Sequence, residues 1–271
     1  MTPGHHHTHD PDGELDRGLG HDLPRLIGRR RLLGLLAGAG LLTVTACAGG
    51  PGGPGGGGPG GAVAQGSEGE IPQETAGPYP GEGTNGPNVL TESGVVRSDI
   101  RSSFGTLSGT AEGVPLRMSL TVTDLAGAPM PGAAVYVWHC DRAGDYSLYT
   151  REDQNYLRGV QVAAADGTVA FTSTFPGCYS GRWPHVHFEV FSSLDEATSG
   201  ANAITTSQLA FPQEACDAVY ATAGYERSVA NLSRITLASD TVFSDGVGEQ
   251  LATMTGSVGS GYTAALTVPV A

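Results

Sequence analysis

Apolar and polar residues alternate along several short segments between residues 115 and 191. Residues 116–123 show the period of two that is typical of a strand with one buried face. Turn residues such as Ala165-Asp166-Gly167 recur about every 8–12 residues between these segments. Together with the β-branched residues they predict an all-β fold, an antiparallel β-sandwich. The other predicted strands are residues 134–139, 161–163, 168–172 and 185–191.

A single short helix is predicted after the last of these strands. Residues 212–224 begin at proline, carry acidic residues near the start and end at glycine, as helices commonly do. Beyond it the pattern becomes strand-like again. The segments concerned are residues 233–237, 251–258 and 262–270.

Residues 1–47 have the pattern of a twin-arginine lipoprotein signal peptide. Arg29, Arg30 and Arg31 precede an apolar run of about 15 residues, which is too short to cross a membrane comfortably. Small residues lie immediately before Cys47, as in signals in which the cysteine becomes the lipidated first residue. We therefore expect an exported, extracytoplasmic protein held at the membrane by a lipid on Cys47.

Residues 48–70 are dominated by glycine and proline. Such a composition cannot bury an apolar core, so it predicts a disordered tether between the anchor and the folded part. Residues 71–271 remain, which is enough for one domain with a substantial core.

The charge of the chain restricts its partners. Acidic residues number 27 against 14 basic ones, all of which are arginine, and the net charge of −13 argues against nucleic acid as a partner.

Outside the cytoplasm Cys140, Cys178 and Cys216 are permitted to form a disulfide. The sequence leaves their pairing open, as it does the oligomeric state.

The most informative segment contains His185 and His187. Alternate side chains on a strand share a face, so both imidazoles can point at one atom. By itself such a pair is as compatible with a satisfied sheet interior as with a metal site. Tyr179 and Arg182 lie just upstream and favour a metal centre.

Three motifs in this order resemble the intradiol ring-cleavage dioxygenases, the family of the catechol and protocatechuate dioxygenases. They are Gly-x-Tyr146-Ser, Pro-Gly-x-Tyr179, and Arg182-x-Pro-His185-x-His187-Phe. Further matches are Glu74-Thr-Ala-Gly-Pro-Tyr79, Gly132-Ala-x-Val-x-x-Trp138-His139 and Thr206-Ser-Gln208, so the resemblance covers roughly residues 73–211.

The resemblance implies a non-haem Fe(III) ion and a catecholic substrate, whose ring is cleaved with O2 to a muconate-type dicarboxylate. The implied metal ligands are Tyr146, Tyr179, His185 and His187. Phenolate is a hard anionic oxygen donor and suits a trivalent ion better than a thiolate does.

Three side chains have implied catalytic roles. Tyr179 would leave the metal when substrate binds and accept a proton. Arg182 would stabilise negative charge that develops on the substrate. Gln208 would hydrogen-bond the substrate or hydroxide.

Other residues near these motifs have alternative readings. Tyr149 and Tyr156 are rivals of Tyr146, which the Gly-x-Tyr motif favours. His139 is read as a structural residue or one that contacts a ligand. Tyr79 lines the pocket or serves in packing.

Only five residues separate Tyr179 from His185, fewer than in the well-known family members, which predicts a more open pocket and leaves the substrate undefined. The main alternative is a metal-containing β-sandwich that binds aromatic or carbohydrate ligands without turnover. A zinc hydrolase built on the histidine pair lacks a third ligand and a general base.

Overall fold

The computed structural model describes residues 69–271. The predicted signal peptide, the lipidation of Cys47 and the tether up to residue 68 therefore lie outside the described residues. Within the described part, no helix is long and apolar enough to cross a membrane.

Eight strands form two four-stranded sheets. The order of strands is β4-β1-β8-β7 in the first sheet and β3-β2-β5-β6 in the second. The strands are β1 (Pro115–Asp124), β2 (Ala134–Trp138), β3 (Arg158–Val162), β4 (Thr168–Thr174), β5 (His185–Phe191), β6 (Thr205–Ala210), β7 (Thr253–Ser257) and β8 (Gly261–Val270).

The two sheets confirm the predicted all-β sandwich. Neighbouring strands are antiparallel with one exception, since β1 and β8 run parallel over the register from Leu116↔Tyr262 to Asp124↔Val270. The sequence marks strand β6 only by the motif around Gln208. It forms the edge of the second sheet, next to the strand with the histidine pair.

The main core lies between the sheets. Alternate side chains of β1 are buried there, as the period of two predicts. Each large apolar side chain that is fully buried contributes about 1.5–3 kcal/mol. The members from the second sheet are Val135, Val137, Val186, Phe188, Val190, Leu209 and Ala210.

Irregular segments cover the open edges of the sandwich. Residues 95–100 form backbone hydrogen bonds both to Val160 on β3 and to Thr172 on β4, which closes one side. Residues 71–74 bond in the same way to β8 and to β6. Covered edges leave fewer unpaired backbone groups for association with other chains.

The described chain contains two α-helices where one was predicted, α1 (Gln213–Tyr220) and α2 (Glu226–Leu232). Ala221 caps the end of the first helix, and Gly224, at φ +93°, lies in the turn before the second helix, which starts after Tyr225. The prediction of a strand at residues 233–237 is wrong. These residues form turns after α2 instead of an extended strand. Leu232, the last residue of the helix, and Ile235, in the segment that follows it, are both buried there.

Candidate metal centre

The outward face of the second sheet carries the candidate site. Strand register places Arg158, Trp138, His187 and Gln208 side by side across β3, β2, β5 and β6. The rings of Trp138 and His187 stack at 4.9 Å with an angle of 6° between their planes. This row holds His187 between a flat aromatic surface and a polar amide.

A second apolar cluster buries this face. The segment before β1 and the loop between β2 and β3 cover it, so that β2 and β5 are buried along their whole length. The cluster consists of Val89, Leu90, Val95, Phe104, Ala134, Tyr136, Trp138, Cys140, Tyr146, Val160, Phe191 and Ala197. Polar groups on the face are thereby removed from water, which strengthens their electrostatic interactions.

His185 and His187 converge as the strand pattern predicts. Their Nε2 atoms are 3.1 Å apart, and each residue is 2% exposed. Nδ1 of His185 lies 2.5 Å from the carbonyl oxygen of Trp183. Nδ1 therefore carries the proton, and Nε2 presents a lone pair toward the site.

Tyr179 joins the histidines from the loop before β5. Its hydroxyl lies 3.3 Å from Nε2 of His185 and donates to that lone pair. The side chain is only partly buried, whereas Tyr146 is 2% exposed. Of the two phenols, Tyr179 is the one with more access to solvent.

Tyr146 completes the cluster. Its ring centroid is 5.9 Å from that of Tyr179 and 6.4 Å from that of His187, and its buried hydroxyl has no hydrogen-bond partner. The rivals are engaged elsewhere. The Tyr149 hydroxyl accepts from the Gly81 N–H, and the Tyr156 hydroxyl donates to Asp141.

The loops that carry the two tyrosines are held together by Asp141. Its carbonyl oxygen accepts N–H groups from both Gly144 and Gly177, at 3.0 and 2.9 Å. A Cβ on Gly177 would lie 2.7 Å from the carbonyl oxygen of Arg142, so the close approach requires glycine. Gly177 is thus a point of contact between the loops, and Asp141 is a positioning residue that sequence reasoning missed.

Burial sets the protonation of the four side chains. Desolvation, and after it the positive charge of neighbouring groups, lowers the pKa of both His185 and His187 well below the usual value, so both imidazoles are neutral. Desolvation raises the pKa of Tyr146 and of Tyr179 far above 10. The phenols therefore remain protonated unless a cation offsets their charge.

Arg182 and Gln208 lie beside this cluster. The Arg182 guanidinium donates from Nη2 to Oε1 of Gln208 at 2.6 Å and from Nε to Oδ2 of Asp240 at 3.0 Å. Gln208 in turn donates to the carbonyl oxygen of Thr75 at 2.9 Å. Asp240 is 0% exposed, and sequence reasoning missed it because it lies 58 residues from Arg182 in the chain.

Several neighbouring residues are structural. Both ring nitrogens of His139 are bonded, to the Cys140 carbonyl oxygen and the Ser173 hydroxyl, each at 2.7 Å, which agrees with a structural role. The Tyr79 ring packs 5.1 Å from that of Tyr146. The three cysteines in the described part, which are Cys140, Cys178 and Cys216, are buried and free.

The donor set fits a hard trivalent cation. Two neutral imidazoles offer lone pairs, and the unpartnered Tyr146 hydroxyl and the Tyr179 hydroxyl offer oxygen donors that become anionic beside a cation. Among residues 69–271 no group of three or more His, Cys, Asp or Glu side chains could hold a metal ion.

The fold and the site define a β-sandwich protein with a buried tyrosine–histidine cluster on one sheet face. A family model described as Dioxygenase matches residues 86–241, more than half of the chain. The chain belongs to this family, that of the intradiol ring-cleavage dioxygenases.

Curated relatives match over shorter segments. A catechol 1,2-dioxygenase from Acinetobacter lwoffii is 31% identical over 156 residues, which are 49% of this chain and 45% of that protein. A hydroxyquinol 1,2-dioxygenase from Nocardioides simplex is 32% identical over 106 residues, 32% of this chain and 36% of that one. The chain thus spans less than half the length of either relative.

A solved structure supports the fold. An intradiol ring-cleavage dioxygenase from Tetranychus urticae superposes with a TM-score of 0.58 at 23% identity. The match covers 74% of this chain and 94% of that one, so the two share an architecture over most of the described residues.

Proposed function

We propose that this protein is a non-haem Fe(III) intradiol dioxygenase that acts on a catecholic substrate. The observation that carries the proposal is the convergence of Tyr146, Tyr179, His185 and His187 on one buried sheet face. Membership of the dioxygenase family, and relatives named for catechol and hydroxyquinol, support it. These four side chains would hold the iron.

The overall reaction adds both atoms of O2 to the substrate. The bond between the two hydroxyl-bearing ring carbons breaks, and each of these carbons becomes a carboxyl group, so catechol and O2 together give a muconic acid with no other reactant. Ferric iron, when bound, supplies the Lewis acid that makes a chelated catecholate reactive toward O2. The protein supplies the binding, the orientation and the proton transfers.

Tyr179 is the proposed proton acceptor. It is the more exposed phenol, and its hydroxyl donates a hydrogen bond to Nε2 of His185. A catechol has two protons to lose on binding, and a phenolate whose pKa is raised by burial is a strong base for one of them. Tyr146, buried and packed against Tyr79, is placed to remain where it is.

Arg182 and Gln208 are the proposed substrate-stabilising residues. A guanidinium is a fixed cation with a planar set of donors, suited to negative charge that develops on a substrate oxygen or ring carbon. Gln208 stands next to His187 across β5 and β6 and shares a hydrogen bond with Arg182. Both groups are buried, where such interactions are strongest.

The test is the purified protein itself. We expect iron in the ferric state, a visible absorption band from tyrosinate-to-iron charge transfer, and oxygen uptake on addition of catechol. Tyr146→Phe should remove the band and the iron together, whereas Tyr149→Phe, the matched control, should keep both because that hydroxyl bonds to the backbone.

Two results would count against the proposal. A colourless protein that contains zinc would contradict the proposed iron site. A coloured protein that binds catechol anaerobically but consumes no oxygen would indicate a binding module. The preferred catechol is open, and oxygen uptake with catechol, protocatechuate, hydroxyquinol and larger lignin-like catechols would identify it.

Location is a separate part of the proposal. The twin-arginine signal and Cys47 support an exported protein anchored by lipid. Cys47→Ser should move the protein out of the membrane fraction. A variant that stays in the membrane fraction would contradict the proposed lipid anchor.

A further inference from the structure

The guanidinium of Arg182 is held by a buried carboxylate. Oδ2 of Asp240 lies 3.0 Å from Nε, and the two side chains are 1% and 0% exposed. The other ion pairs within residues 69–271 have at least one substantially exposed partner. A charge pair removed from water in this way is worth little as a source of stability, because desolvation offsets the attraction.

Asp240 is itself fixed by the backbone. Oδ2 also accepts the Trp183 N–H at 2.6 Å, and Oδ1 accepts the N–H groups of Val242 and Phe243 at 2.8 and 3.2 Å. With these donors and Arg182 the carboxylate has four hydrogen bonds. It is therefore a rigid acceptor with one available orientation.

The position of the guanidinium follows from this anchor. Nε donates to Asp240 and Nη2 to Gln208, so two bonds on neighbouring nitrogens fix the plane of the group. Within residues 69–271, Nη1 forms no hydrogen bond and remains a donor for a bound ligand. The Phe243 ring, next to the Asp240 turn, lies 5.8 Å from the guanidinium carbon.

Arg158 shows that burial of an arginine in this protein does not require a carboxylate. It is also 1% exposed, and its donors go to the hydroxyls of Ser147 and Tyr136 and to backbone carbonyl oxygens. All three of its nitrogens are thus occupied by the protein. Arg182 differs because it has an anionic anchor on one side and a free nitrogen on the other.

We infer that Asp240 is a positioning residue that orients Arg182 toward the substrate. The inference rests on the proposed function, since it concerns the same site. Asp240 acts through Arg182 and does not contact substrate.

A double-mutant cycle tests this inference. The variants are Asp240→Asn, Arg182→Gln and the two combined, each assayed for iron content, for the visible band without substrate, and for kcat and KM per bound iron. Asp240→Asn should lower kcat about 10²-fold, comparable to the loss of one oriented donor, with KM changed less than about threefold. The iron content and the band should match those of the parent.

Coupling is the decisive readout. If Asp240 acts only through Arg182, then adding Asp240→Asn to Arg182→Gln leaves kcat unchanged. A further fall of tenfold or more in the combined variant would overturn the inference, as would an unchanged kcat in Asp240→Asn. The combined variant carries no unpaired buried charge, so the comparison survives if Asp240→Asn alone does not fold.

Two controls separate this result from other failures. Asp99→Asn breaks the exposed ion pair with Arg101 and should leave kcat unaltered. If the parent protein binds iron but takes up no oxygen with any catechol, the proposed function fails. In that case the visible absorption band is recorded with catechol bound under anaerobic conditions. If Asp240 positions Arg182, this band must differ between the parent and Asp240→Asn.

Discussion

In the sheet β3-β2-β5-β6 the two central strands, β2 and β5, are buried on both faces, but the two faces carry different kinds of side chain. The inner face, with Val137, Val186 and Phe188, packs against the other sheet and is apolar. The outer face presents Trp138, His187 and other polar or aromatic groups to a cover of loops. Burial alone therefore does not distinguish a core from a site.

The difference lies in what covers each face. The facing sheet offers mainly apolar side chains, and burial there stabilises the fold by removing apolar area from water. Loops bring backbone carbonyl groups and charged side chains, such as Asp141 and Asp240, that can satisfy buried polar groups. In this protein the tyrosine–histidine cluster lies under the second kind of cover.

Substitution of His187 by alanine should have the largest effect on function. The change removes one proposed iron ligand, so we expect loss of the charge-transfer band and of oxygen uptake to background. Iron analysis and absorption spectra of the purified variant measure this. A variant that keeps stoichiometric iron and the band would show that His187 is not a ligand.

Substitution of Phe188, its neighbour on the opposite face, should affect stability instead. Phe188 is 0% exposed in the main core, and Phe188→Ala should lower the free energy of unfolding by about 3–5 kcal/mol. Denaturant titration of the iron-free protein measures the loss. The folded fraction should bind iron with the parental stoichiometry, and a loss of iron binding would contradict the separation of the two faces.

Glu74, in the segment that covers the edge of β6, should show a small effect that depends on pH. Burial raises its pKa to about 7, with the Asp245 and Asp240 charges adding to the rise. Between pH 4.5 and 7 the folded protein therefore binds a proton that the unfolded chain has released. The free energy of unfolding must fall as pH rises through this window.

Glu74→Gln removes this titration but keeps an oxygen for the hydrogen bond from Gln250. We expect the variant to be more stable than the parent by on the order of 1 kcal/mol at pH 8, with the difference vanishing near pH 4. Thermal unfolding at both pH values checks it. Equal stability of the variant and the parent at pH 8 would mean that ionisation of Glu74 in the folded protein has no free-energy cost.

Strands were predicted well where different kinds of side chain alternate along the segment. The bounds of β5 agree with the prediction, and its alternation explains why His185 and His187 point the same way. The sequence pattern does not predict the second helix, and it indicates a strand where turns follow that helix. Leu232 and Ile235 carry too short an apolar pattern to separate a helical end from a strand.

Site residues could be predicted only where they lie close in sequence to the histidine pair or belong to a motif of the family. Tyr179 and Arg182 lie within six residues of His185, and Tyr146 and Gln208 were found through the family resemblance. Asp240 and Asp141 carry no such mark. An aspartate that ends a turn and one that anchors a buried arginine look alike in a sequence.

The sequence by itself determined the alternating strands, the convergence of the histidine pair and the family, because these depend on local periodicity and short motifs. Tertiary structure alone decided which face of the sheet became a site. It brought the Tyr146 ring to 6.4 Å from that of His187, left the Tyr146 hydroxyl without a hydrogen-bond partner, and placed Asp240 against Arg182. These contacts join residues far apart in the chain, and their energies depend on burial by loops whose paths no local pattern specifies.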